Sequence, residues 1–166
     1  MLTSKGGQVV SVDPVYGCSA KEIRKRIAET FAVVLAQTRK NKGEFRWENI
    51  STVEELGRIR MAAMEEFLAD FDQGKAEGRY RGGSLPHLPF HNREFDLALC
   101  SHFLLLYSGQ LSEQFHIDAI RELCRIAAQV GIFPLLELGA KKSRHLAAII
   151  SRLEKENYQV RIIKGK

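Results

Sequence analysis

Residues 88–107 read LPFHNREFDLALCSHFLLLY, and this stretch decides the fold class. Pro89, His91 and Asn92 form a turn-rich approach. Phe95 to Cys100 then has the length and apolar character of a buried strand. Ser101 and His102 are two polar residues that break it at its carboxyl end. In an open α/β sheet, ligands bind outside the carboxyl ends of the strands. The stretch therefore predicts both a buried strand and a site.

The flanking sequence alternates in the same way. Gln8 to Val12 is a short β-branched run stopped by Asp13-Pro14, since proline cannot continue a ladder. Ser19 with Glu22 is a capping box that opens a helix carrying Ile23, Ile27, Val34 and Leu35. Asn41, Lys42 and Gly43 end it. Ser51 with Glu54 repeats the box before a second helix with Val53, Leu56, Ala63, Phe67 and Phe71, which is expected to stop near Gly74. Lys75 to Pro89 is rich in Gly and Pro and leaves room for a short strand around Arg79 to Arg81.

Beyond the central stretch, Ser112 opens a third helix with Ile117, Ile120, Cys124 and Ala127 on one stripe. Gly131 to Leu138 reads as a strand, with Pro134 as a misfit inside it. Ser143 is expected to cap a fourth helix with Leu146, Ile149, Ile150 and Leu153 inward, and Gln159 to Ile163 reads as the last strand. Strands alternating with helices predict an α/β fold: a mostly parallel, doubly wound sheet with helices on both faces.

Composition sets outer bounds. The chain has 166 residues with 45% apolar content, the size of one ordinary domain. The longest apolar run, Leu97 to Tyr107, is interrupted and is shorter than the roughly 20 residues of a membrane span. No export signal is read in MLTSKGG, and three cysteines without C-x-x-C spacing suit a reducing compartment, so the expected location is cytoplasmic, with no membrane partner. The net charge is +5, and residues 21–42 hold seven Lys/Arg against two Glu. A basic helix can meet phosphate, although a solvated face is the commoner use. His87 and His91 have the spacing of helical metal ligands, but Pro86 and Pro89 forbid a helix there, so no metal site is expected.

One further acid gives the central stretch its meaning. Asp13 ends a strand, where its two oxygens can accept both hydroxyls of a ribose; an Asp-Pro turn is the plainer reading. A strand ending in an acid (VVSVDP), then LPF, then FDLALCSH, then RELCRIA and GIFPLLEL resembles the S-adenosylmethionine-dependent methyltransferases of the Rossmann-like class. The resemblance covers most of the chain. It implies a transferase whose cofactor is S-adenosylmethionine, with Asp13 on the ribose hydroxyls and Pro14 shaping the adjoining turn. Ser84 and Leu85 fall at the adenine contacts, and Cys100 and Ser101 fall near the methionine portion. Methyl transfer is an in-line displacement that depends largely on alignment. His102 is the best-placed base if one is needed, with Tyr107 behind it.

The chain departs from that family in one large respect. The family's first strand and glycine-rich turn precede the acid by about 20 residues, and only 12 residues precede Asp13 here. Gly6 and Gly7 stand too near the acid to be that turn. The expectation is a truncated form, or a shortened domain working as a binding partner, with weak or no cofactor binding. Lys164 to Lys166 leave no room for the family's closing antiparallel strand. Unpaired strand edges would favour self-association. The methyl acceptor is not named by the sequence; a small molecule leads, and a nucleic-acid or other non-catalytic interaction module is the alternative.

Between Asp13 and Arg79 lie 65 residues, more than a βα crossover needs. The two helices at about 19–74 therefore read as an insertion, either a cap lined by Arg58, Arg60, Met61 and Met64 or decoration of the sheet. Lys141, Lys142, Arg144 and His145 follow the fifth strand, either meeting an anionic substrate or solvated at a helix start.

Overall fold

The computed structural model describes residues 6–44, 47 and 50–163. Among them are four α-helices and short strands, paired in parallel and antiparallel fashion without a closed barrel. The chain divides into two compact units, Met1–Ser84 and Leu85–Lys166.

In the first unit, β1 (Ser11–Val12) lies parallel to β2 (Tyr80–Arg81). The strand expected from Gln8 is thus only two residues long. Helix α1 (Ala20–Lys40) starts with the predicted capping box: the Glu22 amide donates to Ser19 Oγ, and the Ser19 amide donates back to Glu22. Helix α2 (Val53–Ala76) starts one residue later than expected. Thr52, not Ser51, accepts from the Glu55 amide, and Glu55 receives the Ser51 amide instead. The two helices are antiparallel, joined by Arg24–Glu65 near one end and Arg39–Glu54 near the other.

The buried stripe of α1 also differs from the expected one. It runs through Ile23, Ile27, Phe31, Leu35 and Thr38, spaced by three or four residues, and Val34 is exposed. Ala63 of α2 is likewise exposed. Four rings, Tyr16, Phe67, Phe71 and Tyr80, touch one another in every combination, with centroids 5.3–6.0 Å apart. Gly74 does not end α2 but sits inside it, under this cluster, where a Cβ would collide with the Tyr80 ring. Asp70 of α2 accepts from Arg79 and from the Tyr80 hydroxyl, which ties the helix to β2. Those hydrogen bonds hold the Asp70 carboxyl down at about 2.

In the second unit, β3 (Phe95–Ser101) and β4 (Ala127–Phe133) form a parallel pair in continuous register, Phe95 opposite Ala127 and Ser101 opposite Phe133. Between them runs α3 (Glu113–Ile126), capped by Ser112. The helix passes into β4 without a loop, because Ala127 is already extended (φ −132°, ψ 151°). This start, four residues ahead of the expected Gly131, removes the proline misfit: β4 ends at Phe133, before Pro134. A short hairpin follows, β5 (Leu136–Glu137) against β6 (Lys141–Lys142), turning through Gly139 and Ala140 at positive φ. Helix α4 (Leu146–Lys155) completes the unit.

Two expectations fail in this last part. Ser143 does not cap α4. Its buried hydroxyl bonds Ser108 Oγ at 2.7 Å, and the helix begins after His145. Gln159 to Ile163 forms no ladder among the described residues, although Val160 packs on the core. The question of a closing strand at Lys164 to Lys166 lies outside the described residues.

The core of this unit joins Cys100, Leu104 and Leu105 to Ile117, Ile120 and Leu123 of α3 and to Leu146, Ile149 and Leu153 of α4. Ala98, Cys100, Val130 and Ile132 face it from the strands. The alternate strand residues point the other way. There Leu97 and Leu99 are 51% and 72% exposed. Leu99 leans over Gly131, where a Cβ would come within 2.8 Å of its side chain.

Candidate functional site

The carboxyl end of the β3–β4 pair is built from a sharp change of backbone direction. β3 ends at Ser101, and His102 takes the left-handed conformation (φ 54°). Its amide donates to the Phe133 carbonyl at 2.7 Å, the last link between the two strands. Ser101 Oγ lies 2.7 Å from His102 Nδ1. The His102 ring packs edge-on against Phe133, with centroids 5.1 Å apart. Ser101 and His102 are both exposed. When Ser101 Oγ accepts from Nδ1–H, Nε2 carries the ring's lone pair.

The chain beyond this turn is held from below. His116 is fully buried, with one ring nitrogen 3.0 Å from the Leu104 carbonyl and the other 2.7 Å from the Ser112 carbonyl. Ser108 Oγ donates to the Leu105 carbonyl, and therefore accepts from Ser143 Oγ. His145 Nε2 is 3.2 Å from the Ser108 carbonyl. Three side chains thus fix residues 104–108, which include the short helical turn Leu105–Tyr107. These buried polar partners satisfy backbone groups that water cannot reach. His116 and Ser108 do not stand out in the sequence, where they interrupt apolar patterns without a motif, and Ser143 and His145 read there in other roles.

The approach to β3 is anchored by α3. Glu122 accepts from the Leu88 amide at 2.6 Å and from Arg125. Arg125 reaches the Phe90 and Leu88 carbonyls and Asn92 Oδ1. The Glu122 carboxyl is only 11% exposed, and the Arg125 guanidinium beside it holds its pKa below the ordinary carboxylate range. RELCRIA and LPFHN, separate in sequence, are in this way one structural element. The spacing of Glu122 and Arg125 by three residues was the available signal.

The remaining residues named from the sequence are placed as follows. Asp13 caps the short turn Pro14–Gly17: its Oδ1 accepts from the Val15 amide at 2.8 Å, and Pro14 takes the first position of the turn. Nothing among the described residues bonds Oδ2. The Asp13 amide bonds the Arg81 carbonyl at 3.3 Å, which continues the β1–β2 ladder to the acid. Ser84 is exposed in the first unit, whereas Leu85 packs on the core of the second. The Cys100 side chain turns into the core, and burial pushes its thiol pKa up. Tyr107 is 39% exposed at the end of its turn. In α2, Arg58 and Met64 are exposed, and Arg60 and Met61 are half-buried. His87 and His91 are both exposed.

The four basic residues after β4 separate in role. Lys141 and Lys142 form β6. Arg144 makes a two-pronged bond to Glu137, which depresses that carboxyl. His145 turns inward to Ser108. The expected helix-start cluster is therefore a hairpin with one neutralised acid. No helix among the described residues is long and apolar enough to cross a membrane.

No protein-family model and no solved structure matches the chain. It is similar to the uncharacterized protein MJ0045 of the archaeon Methanocaldococcus jannaschii, with 32% identity over 160 residues, spanning 93% of this chain and 72% of that one. At that identity and coverage, the chain belongs to the family of this archaeal protein.

Proposed function

We propose that this chain serves S-adenosylmethionine-dependent methyl transfer, on a Rossmann-like, doubly wound arrangement and in the cytoplasm. The observation that carries the reading is the end of β3. A parallel strand finishes at Ser101 and turns sharply through His102, with both polar side chains exposed where α/β sheets hold ligands. Within the first unit, Asp13 stands at the carboxyl end of another parallel pair with one oxygen uncommitted among the described residues. The free thiols of Cys18, Cys100 and Cys124 suit a reducing compartment.

The cofactor, when bound, supplies an electrophilic methyl group on a sulfonium. The family resemblance gives the ribose hydroxyls to Asp13, the adjoining turn to Pro14, and the adenine to Ser84 and Leu85. The Cys100 and Ser101 backbone adjoins the methionine portion. His102 Nε2 takes a proton from acceptors that must lose one, and Ser101 holds the ring in the tautomer that allows this. Alignment supplies most of the remaining rate.

Saturation-transfer NMR with S-adenosylmethionine tests the assignment, because it detects weak binding. Transfer to the ribose protons is expected in the parent chain and should fall about tenfold or more in Asp13→Ala, which lacks a charged hydrogen-bond acceptor. No transfer at millimolar cofactor, or equal transfer in the variant, overturns it.

A further inference from the structure

The chain around His102 carries several exposed aromatic side chains. Phe103 and Tyr107 are 38% and 39% exposed, Phe133 is 61% exposed, and His102 lies against Phe133. Phe103 and Tyr107 are themselves neighbours, with centroids 6.3 Å apart. A second feature borders these rings. The Leu138 amide donates to the Leu106 carbonyl at 3.0 Å, which fastens the β5–β6 hairpin beside the turn that bears Tyr107. On this hairpin Glu137 is neutralised by Arg144, whereas exposed Lys141 and Lys142 form no salt bridge among the described residues. Lys141 adds only its field to Glu137. The hairpin thus carries two exposed lysines and is fastened beside the turn that bears Tyr107.

We infer that this rim binds single-stranded nucleic acid, with bases stacked on Phe133, His102 and Tyr107 and phosphates met by Lys141 and Lys142. Stacked aromatics beside lysines are the combination that holds unpaired bases and backbone together. A protein partner fits less well, because lysine is depleted where proteins bury apolar surface against each other. The inference names the acceptor class of the site proposed above, and in that sense rests on that reading. It replaces the small molecule favoured by the sequence with a nucleotide inside a polymer.

Fluorescence anisotropy of a labelled oligoadenylate of about twelve nucleotides, titrated with the whole chain and no cofactor, tests it. Binding is expected to weaken about 5- to 150-fold in Phe133→Ala, the range for loss of one stacked base. The double variant Lys141→Gln/Lys142→Gln is expected to flatten the log–log salt dependence by about 1.4, two phosphate contacts on a single strand. These positions are exposed, so the circular dichroism of each variant should match the parent. No anisotropy change at low salt, or variants that leave affinity and salt slope unchanged, overturns the inference. Salt-insensitive self-association through the same residues would also overturn it, in favour of a protein contact. Because cofactor is absent, the two readings fail separately. Lost oligonucleotide binding with intact cofactor contact removes only the acceptor class, and the converse removes methyl transfer and leaves the surface.

Discussion

Ser101 Oγ meets His102 Nδ1 at 2.7 Å at the step where β3 leaves its ladder, and His102 holds a backbone conformation (φ 54°) that L residues seldom adopt. That conformation costs about 1–2 kcal/mol outside glycine. The ring makes contacts only at the surface, so folding alone gives little reason for a histidine there.

Replacing His102 by glycine removes the backbone penalty, while glycine's extra freedom in the unfolded chain costs about 0.5–1 kcal/mol. His102→Gly should therefore be as stable as the parent, or up to about 1 kcal/mol more stable. Urea denaturation measures this. A loss above about 1 kcal/mol would mean that the Phe133 and Ser101 contacts serve folding instead of a site.

Gly74→Ala places a methyl group against the Tyr80 ring inside the four-ring cluster. Overpacking of this kind costs about 1–3 kcal/mol. Gly17→Ala is the control, since a Cβ there meets nothing within 4 Å. Thermal melts should show a lowered midpoint for the first variant and none of that loss for the second.

Acid should destabilise both units through particular carboxylates. Asp70, held by Arg79 and Tyr80, and Glu156, held by Arg121 and Arg152, each titrate at about 2 in the folded chain, below their ordinary 3.8 and 4.5. Between those values the unfolded chain binds more protons than the folded one, so stability rises with pH. The contribution is complete above about pH 5 and is lost as pH falls toward 2. Asp70→Asn and Glu156→Gln should each flatten the urea midpoint against pH in that window. Unchanged curves would show that these ion pairs are not linked to folding.

Glu122 fixes the approach to β3 through the Leu88 amide. A hydrogen bond to a charged group is worth about 1.5–3 kcal/mol. Glu122→Gln should then speed hydrogen exchange of the Leu88 amide about tenfold, while α3 amides beyond the first turn keep their protection. Equal exchange in the variant would show that Arg125 alone anchors the loop.

The sequence made the helices legible because capping boxes and helical periods are local signals, although the stripe of α1 was legible only in part, with Val34 exposed and Phe31 and Thr38 missed. Ser19–Glu22 behaves as expected, and Thr52 takes the role given to its neighbour Ser51 because both residues precede a glutamate by three. The strand from Phe95 was also legible as an apolar run with a polar end, but its burial was not: the run reads as a buried strand, whereas Leu97 and Leu99 are exposed and only Cys100 is buried. What escaped was non-local. β4 begins directly out of α3, so the helical stripe that ends at Ala127 hides the start of the strand. Lys141 and Lys142 pair with Leu136 and Glu137 across a tight turn, and their charges gave no strand signal. Of the site, Ser101 and His102 were visible from the sequence, whereas Phe133 emerged only from the β3–β4 register. The buried supports His116 and Ser108 have no motif, and Ser143 reads as a helix cap, because their partners are backbone carbonyls and one another.

The central claim is that the end of β3 touches S-adenosylmethionine. Two-dimensional ¹⁵N NMR of the labelled chain, recorded as the cofactor is added to millimolar concentration, tests it most directly. The amides of Ser101, His102 and Phe103 are predicted to shift in a saturable manner. A spectrum in which those amides stay fixed while others move, or in which nothing moves, would contradict the account.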